Sequence, residues 1–392
     1  MANTILTPTM ITREALRILH QKLNFVGTIN RAYDDSFAKS GARIGTALNI
    51  RLPNQYTIRS GATLSAQDTT ETNTTLTVST QKGVDLNFTS ADLTMSLDDF
   101  GYRILDPAMS VLAANIEADA MNMYKDVYNV VSNTGAAMTM VQVLNARKKV
   151  TDALAPLGDR YANLNTQDNI DLINANKGLF QDASTVAKQY REGYVGRTAG
   201  FDFLENTMWP SFTPGARSQT YQVNGASQTG STLAVNTGTG AIAVGEVFTI
   251  PGCYAVHPET KATLPTLQQF TVTAAYAGGA GNISISPAIV TSGATQNVSN
   301  SPATTNVLTF VGTASTSTGL SLAYHKDAFT FATADLLLPK GVDFAAREVL
   351  DGISMRIVRA YDINNDKFPT RLDVLYGYKT IRPQLAVRIH NN

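Results

Sequence analysis

The apolar positions of the chain change period several times, and each change marks an element. Ile11, Ala15, Leu16, Leu19 and Leu23 fall at helical spacing, with Thr12 near the start and His20 and Lys22 where the helix dipole favours positive charge. From Thr46 the period becomes two: Leu48, Ile50 and Leu52 share one face, Asn49 and Arg51 the other. The same alternation returns at Leu76 and Val78, and again at Val84, Leu86 and Phe88. Between these runs Ser60 to Thr75 is polar and has no apolar face, so the pattern predicts a long β-excursion with a mobile tip.

Asp106 and Pro107 then supply an N-cap and a first-turn proline. Val111, Leu112, Ile116, Met123, Tyr124, Val127 and Val131 follow at helical spacing up to Gly135. The spacing predicts a rod helix over Asp106–Ser132, nearly 40 Å long at about 1.5 Å per residue. Further helices are expected over Thr139–Ala155, Asn169–Asn174 and Ala183–Arg191, then a short strand at Phe201–Leu204. Near the end, Ile353, Met355 and Ile357 alternate with polar neighbours, as do Leu372, Val374 and Tyr376. The turn at Asp362–Asp366 makes these an antiparallel pair, and a last strand runs through Leu385, Val387 and Ile389.

Charge divides this text sharply. Lys plus Arg and Asp plus Glu are 31 each, and charged residues make up only 16% of the 392. Between Thr213 and Leu322, only Arg217, Glu246, Glu259 and Lys261 are charged, so 4 of 110 residues stand against 58 of the other 282. That stretch alternates β-branched and small residues with Gly, Asn and Pro turns, as in Ser231-Thr-Leu-Ala-Val and Gln269-Phe-Thr-Val-Thr. It reads as a separate small all-β barrel or sandwich. Zero net charge argues against a protein whose affinity comes mainly from neutralising phosphates, and it favours association between copies. No stretch approaches the roughly 18 apolar residues of a membrane span. The charged N-terminus lacks the core of a signal peptide. A soluble protein made in a reducing cytoplasm, without a membrane, is expected.

Candidate chemistry is thin. Cys253 is the single cysteine, so no internal disulfide forms, and it reads as a small buried hydrophobe rather than a nucleophile served by His257. Asp362, Asn364 and Asp366 match the first ligand positions of a calcium loop, but Lys367 stands where glycine is needed, so a turn is the better reading. Gly238, Gly240 and Gly245 lack the spacing and the helix of a dinucleotide loop. His325 reads as a surface or interface residue, and Trp209 as the anchor of a domain junction. No cofactor, metal or enzymatic activity is expected.

Three stretches carry a family resemblance. Val84-Asp-Leu-Asn-Phe-Thr-Ser-Ala-Asp-Leu leads through Leu97-Asp-Asp-Phe to Asp106-Pro-Ala; Arg191-Glu-Gly-Tyr-Val-Gly-Arg-Thr-Ala-Gly-Phe-Asp-Phe-Leu-Glu-Asn precedes the charge-poor stretch; Leu372-Asp-Val-Leu-Tyr-Gly-Tyr-Lys-Thr-Ile-Arg-Pro-Gln-Leu-Ala-Val-Arg-Ile closes the chain. In this order they resemble the major capsid proteins of tailed bacteriophages, in the P22-coat-like branch of the HK97-like fold. The resemblance implies an α+β chain with an N-terminal arm (1–40), an extended E-loop hairpin (41–90) and a spine helix with the α/β part of the peripheral and axial domains (91–212). It further implies an inserted all-β barrel-like domain (213–322) and the remainder of the axial and peripheral sheet (323–392).

By the same resemblance, pentamers and hexamers of this chain build an icosahedral shell around double-stranded DNA in the host bacterial cytoplasm, and the chain ends up in the virion capsid. The E-loop lies across a neighbouring subunit there, and Arg51, Arg59 and Lys82 are the candidates for ion pairs between subunits. Implied partners are a separate scaffolding protein, since Met1 lies only a few residues before the first helix, a portal protein, a candidate decoration protein, and packaged DNA through weak non-specific contacts. The alternative is a β-rich surface-binding or adhesive protein, or an encapsulin-like compartment shell.

Overall fold

The computed structural model describes residues 8–32, 46–64, 66–69, 71–88, 101–176, 195–350, 352–363 and 367–391. The expected helix at Ala183–Arg191, the Leu97-Asp-Asp-Phe segment, and Asn364 and Asp366 of the calcium-like turn lie outside these residues. In chain order the elements begin with α1 (Pro8–Lys22), α2 (Phe25–Thr28), β1 (Thr46–Arg51), β2 (Asn73–Val78), β3 (Thr80–Phe88) and α3 (Asp106–Met121). There follow β4 (Val130–Ser132), α4 (Met140–Asp152), β5 (Arg160–Leu164), α5 (Thr166–Asn176), β6 (Arg197–Thr198) and β7 (Phe201–Glu205). Strands β8 (Gln222–Val223), β9 (Gly230–Asn236), β10 (Val247–Val256), β11 (Thr263–Val272), β12 (Gly281–Ile289) and β13 (Thr309–Phe310) come next. The chain closes with β14 (Gly319–His325), β15 (Phe329–Ala334), β16 (Phe344–Leu350), β17 (Ile353–Arg359), β18 (Phe368–Thr380) and β19 (Ala386–Asn391).

Two compact units emerge, the first drawn from residues 1–51, 73–121 and 329–381, the second from 52–72, 122–328 and 382–392. The first is built on a sheet ordered β15-β18-β17-β16, with β3 also paired to β18. Its central strand β18 buries both faces: Leu372, Val374 and Tyr376 on one, Asp373 and Leu375 on the other. Asp373 is tolerated there because Arg356 Nη2 and Arg371 Nε each reach one of its oxygens at 2.7 Å. A Cβ at Gly83, opposite Asp373 on β3, would run into Asp373 Oδ1, so glycine leaves room for the carboxylate. The expected β17–β18 antiparallel pair is present. Helix α3 packs against α1, and its buried Glu117 accepts the N–H groups of Phe25 and Val26 at 3.0 and 3.1 Å, satisfying the start of α2.

The rod helix is shorter than its periodicity suggested. A π-helical turn (Gly101–Leu105) leads into the 16 residues of α3, the chain tightens into a 3-10 turn (Asn122–Asp126), and Val130–Ser132 is a strand. Tertiary pairing overrides the helical spacing here. Strand β4 runs parallel to Arg388–His390, the Arg388 N–H bonds Asn129 O at 2.8 Å, and the β-branched Val130 and Val131 suit a strand.

The second unit holds two six-stranded sheets. One is ordered β4-β19-β14-β5-β7-β6, with helix α4 packed on it; Thr139 precedes α4, and the Gln142 side chain reaches back to its N–H at 3.0 Å. The other is ordered β13-β10-β11-β12-β9-β8 and closes on itself. Val223 N–H donates to Asn306 O and Leu308 N–H to Tyr221 O, both at 2.9 Å, joining β8 to the segment that enters β13. The result is a small barrel filled by Tyr221, Val235, Phe248, Cys253, Phe270 and Ile283 among others. Its chain leaves and returns through Phe212 and Thr318, which bond each other. The composition boundary at Leu322 therefore lies too late: Gly319–Leu322 already belong to β14 of the first six-stranded sheet, where small and apolar residues are equally at home.

Candidate assembly surfaces

Strands β1 and β2 pair antiparallel from Thr46↔Val78 to Arg51↔Asn73. The predicted alternation sets the hairpin's root: Ile50, Leu76 and Val78 are buried against Ala332, Ala334 and Leu375, while Asn49 and Arg51 face out. Gly377 on β18 permits this approach, since a Cβ there would collide with Thr77 O. Strand β3, expected as part of the excursion, instead pairs along nine residues of β18.

Among its described residues the loop Leu52–Thr72 has no regular structure, but it is internally braced. Gln67 Oε1 accepts the Thr57 N–H at 2.9 Å while its Nε2 donates to Thr57 O at 2.5 Å, a side chain imitating a strand pair. Arg59 turns back on the tip, donating to Gly61 O and to Thr63 O. The brace holds Tyr56, Ile58 and Leu64 outward at 57, 96 and 82% exposure.

The three cations predicted for this surface sit differently. Arg51 is exposed at the end of β1, opposite Asn73. Arg59 is exposed at the loop tip, with its guanidinium on the loop's own carbonyls. Lys82 lies on β3 with its ammonium 2.7 Å from Asp119 Oδ2, which also accepts the Tyr376 hydroxyl at 2.5 Å. Lys82 thus has a carboxylate partner within its own chain.

Two of the barrel's four charges are used inward. Glu246 is fully buried; its Oε1 accepts the Gly215 and Ala243 N–H groups, each at 2.7 Å, and its Oε2 lies 2.7 Å from Arg217 Nε. Burial pushes this carboxyl up, and the two N–H donors and the guanidinium oppose the push. Arg217 in turn lies over the Phe310 ring, 4.2 Å from its centroid. Below the barrel, Gln269 exchanges two hydrogen bonds with the main chain of Val130, at 2.8 and 3.1 Å, and accepts from Lys149 Nζ at 2.7 Å. Buried Arg388 donates to Gly245 O at 2.7 Å and faces the rings of Tyr124 and Phe212. Burial pushes Arg388 down to about 10, Lys149 down to about 8 and the neighbouring His390 down to about 3. Sequence reasoning missed this seam. The available signal was scarcity: in a stretch with four charges, Arg217 and Glu246 are kept and pair with each other.

None of the residues weighed for catalysis is placed for it. Cys253 is buried in the barrel core, where desolvation pushes its thiol up to about 11, and His257 Nδ1 accepts the Glu259 and Thr260 N–H groups of its own turn. His325, read as a surface or interface residue, is 4% exposed within its own chain; burial lowers its pKa, and its Nδ1 accepts the Asp327 N–H at 3.2 Å. Trp209 Nε1 donates to Asn163 Oδ1 at 2.7 Å, three residues before the chain enters the barrel. Among the described residues no group of three or more His, Cys, Asp or Glu side chains is placed to hold a metal ion, and no helix is long and apolar enough to cross a membrane.

No curated protein matches the chain. Similar solved structures include that of Mycobacterium phage Che8 (14% identity, 94% of this chain and 90% of that chain, TM-score 0.48). The capsid of cyanophage P-SCSP1u is also similar (11%, 91% and 85%, 0.45), as is the acid-stable capsid of Helicobacter pylori bacteriophage KHP30 (9%, 90% and 86%, 0.45). At these TM-scores the assignment rests on the family profile instead. The profile described as P22 coat protein, gene protein 5, matches residues 42–389, which takes in the hairpin, the long helix, the barrel and the closing strands. The chain belongs to the P22 coat protein family, and it is a mixed α+β major capsid protein that forms a phage shell.

Proposed function

We propose that this coat protein closes its shell by laying the Leu52–Thr72 loop over a neighbouring copy, within pentamers and hexamers arranged icosahedrally around double-stranded DNA. The observation that carries this reading is the braced, outward-held apolar loop tip, with Ile58 96% exposed. An unpaired hairpin is a liability to a monomer and becomes useful when a partner covers it. Arg51, and Arg59 through the guanidinium nitrogens it does not spend on its own loop, supply the ion pairs of that contact. Lys82 serves its own subunit through Asp119.

In this reading the barrel is an inserted domain of a non-enzymatic shell protein, and its near absence of charge suits copies packed side by side. Assembly takes place in the host bacterial cytoplasm with a separate scaffolding protein, on a portal protein, with a decoration protein as a further candidate partner. DNA is contacted weakly and without sequence preference. Co-expression with the scaffolding protein should give closed particles tens of nanometres across by negative-stain microscopy. Only monomers and amorphous aggregate across many such conditions would overturn the proposal.

A further inference from the structure

We propose that Asn224 and Gly225, in the loop joining β8 to β9, form a self-modifying site on the barrel. The Gly225 main-chain nitrogen attacks the Asn224 side-chain amide, and the asparagine becomes aspartate or isoaspartate without an enzyme. These residues are the one Asn-Gly pair in the sequence. Asparagine is among the chemically labile residues, and the surroundings of this one suit the reaction. Asn224 is exposed, and its side-chain amide makes no hydrogen bond among the described residues. The Gly225 N–H makes none either, so the attacking nitrogen is not tied to an acceptor. Gly225 has no Cβ to block the approach, and nothing lies within 4 Å of where a Cβ would stand.

The step balances with water and hydroxide alone. Hydroxide takes the Gly225 N–H proton and the nitrogen bonds to Asn224 Cγ. The Cγ–Nδ2 bond breaks, and the departing nitrogen takes a proton from water and leaves as ammonia. Water then opens the cyclic imide. Cleavage of its bond between nitrogen and Cγ gives aspartate in an ordinary main chain. Cleavage at the main-chain carbonyl gives isoaspartate, which routes the main chain through the side chain and lengthens it by a methylene.

Gln228 sets the rate. The peptide between Asn224 and Gly225 must rotate to bring the nitrogen to Cγ, and its oxygen is held. Gln228 Nε2 reaches Asn224 O at 2.8 Å, and Gly225 O and Ala234 O at 3.1 Å each, while Gln228 Oε1 accepts the Ala234 N–H at 2.6 Å. On the other side of Asn224, its own N–H donates to Ala234 O at 2.9 Å. The clamp slows the rotation without tying up either reacting group. Conversion matters where the pair sits. The chain has zero net charge and only four charged residues between Thr213 and Leu322, so each event adds a carboxylate to a surface whose neutrality favours the packing of copies. The isoaspartate form also lengthens the chain beside Val223, whose N–H bonds Asn306 O and helps to close the barrel.

Trypsin cuts after Arg217 and Lys261 and nowhere between them, which isolates the site in the peptide 218–261. After incubation of the folded full chain at mildly alkaline pH and body temperature, that peptide should gain about 1 Da by mass spectrometry. Fragmentation should place the gain at Asn224 rather than Asn236, and isoaspartyl methyltransferase should label the product. Gly225→Ala should slow the conversion at least about tenfold, because a Cβ crowds the attacking nitrogen. That comparison is repeated in urea, so it holds whether or not the variant folds. Gln228→Ala should speed the folded chain several-fold, towards the rate of the urea-unfolded wild type. A folded chain whose Asn224 stays intact while the unfolded chain converts would overturn the proposal. A gain equally fast at Asn236, or a rate unchanged by Gln228→Ala, would overturn it as well.

Discussion

The barrel and the β1–β2 hairpin are written in the same vocabulary of β-branched, small and polar residues, yet they solve opposite problems. The barrel joins β8 back to the segment before β13, buries its aromatic and aliphatic side chains in one core, and spends two of its four charges on each other inside. The hairpin buries only its root, around Ile50, Leu76 and Val78, and braces its tip so that Tyr56, Ile58 and Leu64 stay in water. β-propensity alone does not distinguish the two. What differs is whether backbone edges and apolar faces are satisfied within the chain or left for a second copy.

The largest effects should come from opening the closed region. Glu246→Ala strands Arg217 in the barrel and removes the acceptor of two N–H groups, so it should cost about 3–5 kcal/mol in urea unfolding. A loss under 1 kcal/mol would break the claim that these two charges are used inward. Phe248→Ala, in the fully buried core, should cost about 3–4 kcal/mol by the same measurement.

The buried strand below the barrel adds a pH signature. His390 is held neutral, with its folded pKa lowered to about 3 from an ordinary 6.5, so the unfolded chain takes up the proton first as pH falls. Its contribution is intact above pH 6.5 and should fall by about 2 kcal/mol between pH 8 and 5. Unfolding of His390→Gln over that range should show a shallower loss; an identical slope would remove His390 from the account.

The hairpin, and strand β3 that follows it, should answer in the opposite way. Lys82→Ala breaks a partly exposed ion pair and should cost no more than about 1 kcal/mol, with added salt narrowing the difference from wild type. Ile58→Ser should leave monomer stability within about 0.5 kcal/mol while reducing the yield of closed particles several-fold by microscopy. A clear loss of monomer stability would show that the tip serves its own chain. A tip deletion that reaches Thr75 would cut into β2, so removal of residues 58–66 is the cleaner test of the loop.

Much of this architecture is legible along the chain because local pattern and tertiary context agree. Helix α1 and strands β1, β2, β17 and β18 fall where the spacing of Leu16, Ile50, Leu76, Met355 and Leu372 puts them, and helix α4 lies within the expected Thr139–Ala155. Legibility ends where long-range pairing competes with local period. Val127 and Val131 continue the helical spacing, yet the main chain of Arg388 and the side chain of Gln269, more than a hundred residues away, bond the backbone there and draw Val130–Ser132 into a strand. His325 looks exposed beside Lys326 and Asp327, yet it ends a strand whose burial is set by β5 and β19 on either side.

The candidate surface divides along the same line. Sequence by itself determined the element order, the charge-poor β region, the long excursion and the family resemblance, because all of these rest on period, composition and chain order, which are one-dimensional. Only the tertiary structure decided that Lys82 answers Asp119, that Arg59 folds onto its own loop, and that Glu246 and Arg217 meet inside a barrel. A charge's partner, and a hydrogen bond's absence, depend on distances between segments that no local spacing encodes.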